Sequence, residues 1–168
     1  MIRLAVPQDA ATLAALGKKT FIDAFAADNT AENLSLFVEQ NYSEVKQARE
    51  IADPERRIFI AWENDQAVGY SHLRLGNPDV CIQGLQPIEM VRLYVDRAWH
   101  AKGVAHQLME HAIGVATELG RKTLWLGVWE RNLRAQAFYR KWGFREVGTH
   151  VFWVGNDPQR DLILEKEI

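Results

Sequence analysis

Residues 99–116, WHAKGVAHQLMEHAIGVA, run a turn of small residues directly into a helical repeat in which Leu108, Ala112 and Val115 or Ala116 follow Val104 on one face. Gly103 has no side chain, Ala101 and Ala105 have almost none, and Lys102 stands among them. Backbone NH groups at this helix start could therefore approach a ligand closely. Such a turn suits an anion, above all a phosphate, because free NH groups and the helix dipole act in the same direction. Small residues also let a helix pack tightly on a sheet, and the turn by itself leaves both readings open. Metal chemistry has less to draw on. His106 and His111 are five residues apart, which does not put them on one helical face, and no cysteine or acidic cluster completes a ligand set, so no metal is expected.

The turn needs elements to hold it. Upstream, IEMVRLYVD reads as a strand; downstream come the helix GVAHQLMEHAIGVATELG, the strand KTLWLGVWE, the helix NLRAQAFYRKWG, and closing strands FREVGTHVFWV and RDLILEKEI around GNDPQ. The unit 88–130 can form a right-handed crossover with parallel strands, placing the turn just beyond a strand's C-terminal end. The first half is helical and then becomes a hairpin. A helix from Asp9 to about Ala26 takes Asp9 as its N-cap, Thr30 caps TAENLSLFVEQ, and Ser43 caps SEVKQAREIA, which Asp53-Pro54 ends. RRIFIAWE and AVGYSHLRL flank a turn at ENDQ, and NPDVCIQGLQP is a loop. The order predicts one α/β (α+β) domain over residues 1–168 with a mixed sheet. Trp125 and Trp129 share one face of their strand and are expected in the core.

With 168 residues, 48% hydrophobic and 25% charged, the chain supports one substantial core. A formal net charge of -2 gives no general attraction to nucleic acid or an anionic membrane, and no apolar run approaches a membrane span. Cys81 is the only cysteine, which excludes an intramolecular disulfide, and MIRLAVPQDA lacks the apolar core of a signal peptide. A cytoplasmic protein with a small-molecule partner is the expectation.

Two blocks carry a specific resemblance. IEMVRLYVDRAWHAKGVAHQLM followed by LWLGVWERNLRAQAFYRKWGF resembles the acyl-CoA-binding core of the GNAT N-acetyltransferase superfamily. HAKGVA matches the superfamily's Q/RxxGxG/A loop at Gly103 and Ala105, and departs from it at His100, where Gln or Arg is usual. The second block resembles the NxxAxxFYxxxGF-like pattern through Asn132, Ala135, Phe138, Tyr139, Gly143 and Phe144. The likeness extends over nearly the whole chain, and WLGVWERN, AFYRKWGF and HVFWVGNDPQRDLIL resemble the PaiA-type polyamine acetyltransferase branch.

The resemblance implies a largely antiparallel sheet, helices on both faces, and a central parallel strand pair splayed around acetyl-CoA. Leu93, Tyr94 and Val95 would line the pantetheine arm, with backbone hydrogen bonds from Leu93 and Val95. His100, Ala101, Lys102, Gly103, Val104 and Ala105 would hold the pyrophosphate, His100 mainly through its backbone. Asn132, Ala137, Phe138, Tyr139 and Lys141 would complete the cofactor contacts, although Asn132 is equally a good helix N-cap and Lys141 equally a solvated lysine. Acyl transfer needs a neutral amine, yet an alkyl amine titrates near ~10.4. Glu89 corresponds to a base in some relatives, with water-mediated proton removal the alternative. Tyr139 would protonate the departing thiolate.

The resulting expectation is an acetyl-CoA-dependent N-acetyltransferase acting on a primary amine, with a polyamine such as spermidine or spermine as acceptor. A peptide or protein amine is the enzymatic alternative; a CoA-binding regulatory module without turnover and a phosphate-binding structural protein are the non-enzymatic ones. Asp23, Asp28, Glu32 and Glu39 could attract a cationic acceptor or form a solvated acidic face. A homodimer is compatible with these readings.

Overall fold

The computed structural model describes residues 1–168, and its elements follow the hydrophobic periods closely. In chain order they are β1 (Ile2–Leu4), α1 (Ala10–Phe25), α2 (Ala31–Asn41), α3 (Glu44–Ala52), β2 (Arg56–Glu63), β3 (Gln66–Arg74), β4 (Pro87–Val95), α4 (Val104–Glu118), β5 (Thr123–Trp129), α5 (Leu133–Lys141), β6 (Arg145–Val154) and β7 (Asp157–Glu167). Thr30 and Ser43 cap α2 and α3 by accepting from the NH groups of Asn33 and Lys46, both at 3.2 Å. Asp9 does not act this way. Its carboxylate accepts from Val6 NH at 2.8 Å and pairs with Arg3 at 2.7 Å, so it joins β1 to the following turn while α1 starts without a side-chain cap. The tertiary partner has outcompeted the local cap.

The strands form one sheet in the order β1-β2-β3-β4-β5-β7-β6. All neighbours are antiparallel except β4 and β5. Asn64 and Asp65, at φ 48° and 61°, make the tight β2–β3 turn, the left-handed pair that a right-twisted hairpin favours. The three-residue strand β1, too short for an alternation to be read from sequence, extends the sheet edge beside β2.

Helices α4 and α5 cover one face, where Met109, Ala112 and Ala116 pack with Ile88, Met90, Leu124, Leu126 and Val128. Helices α1 to α3 cover the other. There Phe21, Phe25, Leu34 and Val38 pack with Trp129 and Val154. Trp125 and Trp129 are both buried, as their shared strand face predicts.

Two irregularities in and beside β4 shape the centre. In the β3–β4 ladder Leu73 pairs with Met90 and His72 with Arg92, so Val91 is an extra residue without a rung. Before it, Ile88 and Met90 face α4; after it, Leu93 and Val95 face α4 while Arg92 and Tyr94 turn towards α1 to α3. On the other edge, β4 pairs with β5 only from Pro87 to Glu89, against Thr123 to Trp125. Beyond Glu89 and Trp125 the two strands part.

Candidate active site

Where β4 and β5 separate, a cavity of about 680 Å³ passes through the sheet from one helical layer to the other. On the α4–α5 side it is bounded by Leu93, Val95, Ala105, Asn132 and Phe138; on the other side Phe21, Phe25, Phe37, Trp129, Phe152 and Asp161 form its wall. Tyr139 lies between the two sets, lines the cavity, and is 8% exposed.

The loop that enters α4 has the geometry its composition suggests. Ala101 (φ 61°) and Gly103 (φ 83°) both take left-handed conformations, and Gly103 occupies the N-cap position with no side-chain cap. The NH groups of residues 101–106 have no protein acceptor. A Cβ at Gly103 would meet only Gln107 Nε2, 4.0 Å away, so packing does not explain the glycine. A left-handed backbone and open space above unpaired NH groups do, and both fit a bound phosphate or pyrophosphate. The loop is fixed from below. Asp96 accepts from Ala98 NH at 3.0 Å and from Lys19 of α1 at 2.6 Å, and this lysine holds its carboxyl below the usual carboxylate range.

His100 is locked through both ring nitrogens. Nε2 lies 2.9 Å from the Val95 carbonyl and Nδ1 2.6 Å from Arg134 Nη1. A carbonyl can only accept and a guanidinium only donate, which selects the neutral imidazole with its proton on Nε2. The ring therefore ties the strand end to α5, and the His100 NH is itself taken by the Arg97 carbonyl at 3.2 Å, so the phosphate contact expected of its backbone falls to the unpaired NH groups that follow it. Lys102 folds back over Trp99, its Nζ 4.5 Å from the ring centre. Arg97 and Arg134 line the cavity and make this mouth cationic.

Helix α5 brings Asn132, Ala135, Phe138 and Tyr139 to the cavity. Asn132 caps the helix, accepting from Ala135 NH at 3.1 Å, and lines the cavity as well. Ala137 and Lys141 are exposed and outside the cavity wall. The Tyr139 hydroxyl makes no hydrogen bond to the protein, and burial pushes its pKa well above that of a free phenol. It is consequently a protonated donor with nothing to donate to except what enters the cavity.

Glu89 has different surroundings. It is the last β4 residue paired with β5, and its carboxylate is taken by Arg74, with Nε at 2.9 Å and Nη2 at 2.5 Å. It does not line the cavity. Asp23 does, whereas Asp28 lies in a neighbouring groove and Glu32 and Glu39 in neither. Of the charged residues that do line the cavity, Arg92, Arg97, Arg134 and Asp161 escape sequence reasoning. Arg134 had a usable signal, since it stands in the same helical block as Tyr139.

A mixed sheet with one splayed parallel pair, a phosphate-competent loop beyond the first strand of that pair, and a buried tyrosine beyond the second agree with the comparisons to known proteins. Residues 20–144 match the model of the acetyltransferase (GNAT) family. An uncharacterized N-acetyltransferase of Lactobacillus delbrueckii subsp. lactis is 33% identical over 156 residues, covering 92% of this chain and 89% of that protein. A ribosomal protein bS18 alanine N-acetyltransferase of Haemophilus ducreyi is 28% identical over 123 residues, 68% of this chain and 83% of that one. Among solved structures, the PaiA N-acetyltransferase of Thermoplasma acidophilum in complex with coenzyme A superposes with a TM-score of 0.82 at 20% identity, covering 100% of this chain and 98% of that one. The chain belongs to the GNAT family of acetyltransferases, and its reaction class is acetyl transfer to nitrogen. No helix is long and apolar enough to cross a membrane.

Proposed function

We propose that this enzyme transfers the acetyl group of acetyl-CoA to a primary amine, and that an alkyl polyamine is the acceptor class to which its cavity is suited. The cavity itself carries the reading: it joins unpaired NH groups and arginines on one face of the sheet to an aromatic wall with carboxylates on the other. Acetyl-CoA would enter from the α4–α5 side, with its pyrophosphate on the NH groups of residues 101–106 and its pantetheine arm beside Leu93 to Val95, completing the edge that β5 leaves open. The acceptor would enter from the α1–α2 side, where aromatic rings accommodate methylenes and favour a cation, and where Asp23 and Asp161 supply negative charge.

The reacting centre then falls where the strands part. The amine nitrogen attacks the thioester carbonyl, the carbon–sulfur bond breaks with its electrons on sulfur, and the Tyr139 hydroxyl gives sulfur its proton. The coenzyme supplies the activated acyl group; the chain orients it, excludes water and moves protons.

A peptide amine is a second reading, favoured by the likeness to the alanine N-acetyltransferase of Haemophilus ducreyi. Release of free thiol from acetyl-CoA separates the alternatives when measured across spermidine, spermine, phenylethylamine and an alanine-initiated peptide. Preferential turnover of spermidine or spermine supports the polyamine reading, and preference for the peptide replaces it. CoA binding without thiol release from any amine identifies a binding module instead.

A further inference from the structure

Asp161 is the carboxylate that the fold itself does not explain. It sits on β7, opposite Trp129 on one side and His150 on the other, and its side chain is 10% exposed. Oδ2 lies 3.7 Å from His150 Nε2, while Oδ1 is buried and has no hydrogen-bond partner. A buried carboxylate oxygen left without a donor is destabilising for a protein that gains nothing from it. The surroundings also keep space beside it. Gly127 of β5 presents no side chain, and a Cβ there would come within 3.1 Å of Asp161 Oδ2 and 3.4 Å of His150 Nε2. The adjacent rings form a continuous wall, Phe25 and Trp129 at 4.9 Å and Phe25 and Phe152 at 6.3 Å between centroids. Arg92, the cation lining this side, is committed to Glu50 at 2.6 Å.

An alkylammonium supplies what is missing: N–H donors and a positive charge for the carboxylate, and methylenes for the rings. We propose that Asp161 receives the acceptor amine, its carboxylate binding the ammonium and then taking one of its protons. This rests on the acetyl-transfer reading above. His150 is a positioning residue. Its Nδ1 is held by Asp79 Oδ2 at 3.1 Å, and its Nε2 faces Oδ2 of Asp161, the oxygen beside the space that Gly127 keeps open. Carboxylates on both sides, Asp161 foremost, raise the His150 pKa against the opposing effect of partial burial. His150 also lines the neighbouring solvent groove with Glu130 and Arg160, which gives the proton a way out.

The balance closes. The ammonium gives one proton to Asp161 and becomes a neutral amine, which forms the carbon–nitrogen bond. On collapse sulfur leaves with the bonding electrons and takes the Tyr139 proton, and the second nitrogen proton replaces it on the phenolate. The products are the amide, the CoA thiol and one proton released from Asp161. The other titratable groups are Tyr94 from β4, Tyr139 from α5 and Asp23 from α1, which line the same cavity, and Asp79 from the β3–β4 loop, which holds His150 and accepts from the Cys81 NH. Burial raises both phenols and, foremost among its causes, raises the Cys81 thiol to about 11, so these three stay protonated at neutral pH.

The test uses the full chain with acetyl-CoA and spermidine. In Asp161→Asn, kcat/KM for spermidine should fall about 10²- to 10³-fold near neutrality and climb towards the amine's own pKa, because only amine already neutral can react. The acid limb of the parent profile should thus move up to the amine's own pKa. Calorimetric affinity for spermidine in the presence of CoA should fall at least about tenfold, with acetyl-CoA affinity unchanged. In His150→Gln the acid limb should move to higher pH, since the cation beside the carboxylate is lost. Parent turnover of spermidine with the same affinity and pH profile in Asp161→Asn overturns the assignment and leaves acetyl transfer intact. A parent that releases thiol with no amine overturns both. If Asp161→Asn loses acetyl-CoA binding through misfolding, an unmoved acid limb in His150→Gln overturns the assignment instead.

Discussion

The two faces of the sheet around the β4–β5 opening solve opposite problems by opposite means. On the α4–α5 face the proposed recognition surface is mostly backbone: NH groups of residues 101–106, in a loop where Ala101, Gly103 and Ala105 are small, supported by Arg97 and Arg134. On the α1–α3 face it is made of side chains, rings from α1, α2, β5 and β6 around a carboxylate from β7, with a buried charge cluster of Glu50, Arg56 and Arg92 around His72 beneath them. A backbone site tolerates many neighbouring side chains but depends on conformation. A side-chain site keeps its backbone while its specificity is replaced one residue at a time. Cofactor binding and acceptor choice in this chain should therefore respond to different kinds of substitution.

The largest effect is expected where the faces meet. Tyr139→Phe retains the ring that packs at 5.6 Å from Phe144 and removes only the hydroxyl. Single-turnover acetyl transfer should slow by about 10²- to 10⁴-fold with acetyl-CoA affinity retained. An unchanged chemical step would make Tyr139 a packing residue and move the meeting point of the faces elsewhere.

Gly103→Glu should weaken acetyl-CoA binding by about 10- to 100-fold, the scale of a lost charge-assisted hydrogen bond at ~1.5–3 kcal/mol. It forces a side chain into φ 83° and sets a negative charge beside the phosphate position. Calorimetry with acetyl-CoA measures it, and circular dichroism checks the fold; parental affinity in a folded variant would break the contrast between backbone and side-chain recognition.

On the other face, His72 is fully buried, and burial followed by the charges of Arg92 and Arg56 drives its pKa well below the usual imidazole value. The unfolded chain therefore binds this proton more readily than the folded one. The stability that His72 contributes is complete above about pH 6.5 and is lost as pH falls below it. Urea midpoints should decline between about pH 7 and 5, with a shallower decline in His72→Gln. Equal slopes would show that His72 does not set this dependence.

The smallest effect is expected for His100→Gln. Glutamine offers both the donor and the acceptor that Val95 and Arg134 require, so acetyl-CoA affinity should change less than about threefold, within the ~0.5 kcal/mol expected where no unique contact is lost. A larger loss, measured by the same titration, would assign the imidazole a direct role.

The same contrast explains what could be read from the sequence. A backbone site has to be contiguous, so HAKGVA carries the proposed cofactor side in six residues, and the hydrophobic periods carry the strands and helices that present it. The proposed acceptor wall draws on α1, α2, β4, β5, β6 and β7, and no spacing links Phe25 to Asp161. The opening between the strands is equally silent, because it arises where rungs stop rather than from any residue type. Asp9 shows a further way in which sequence misleads: its type suits a cap, and Arg3 claims it first.

The unpaired Val91 makes β4 a strand that changes parity. Below it, even-numbered residues belong to the α4–α5 layer; above it, odd-numbered ones do. One strand can thus contribute Ile88 to a sealed interior, and Leu93 and Arg92 to opposite sides of an opening, without either half constraining the other. Pairing this single residue as an ordinary rung would add no mass and yet exchange inside for outside along one half of the strand, sending a guanidinium into the layer where leucine now sits. The molecule's handover point between two substrates is, in this sense, a counting device one residue long.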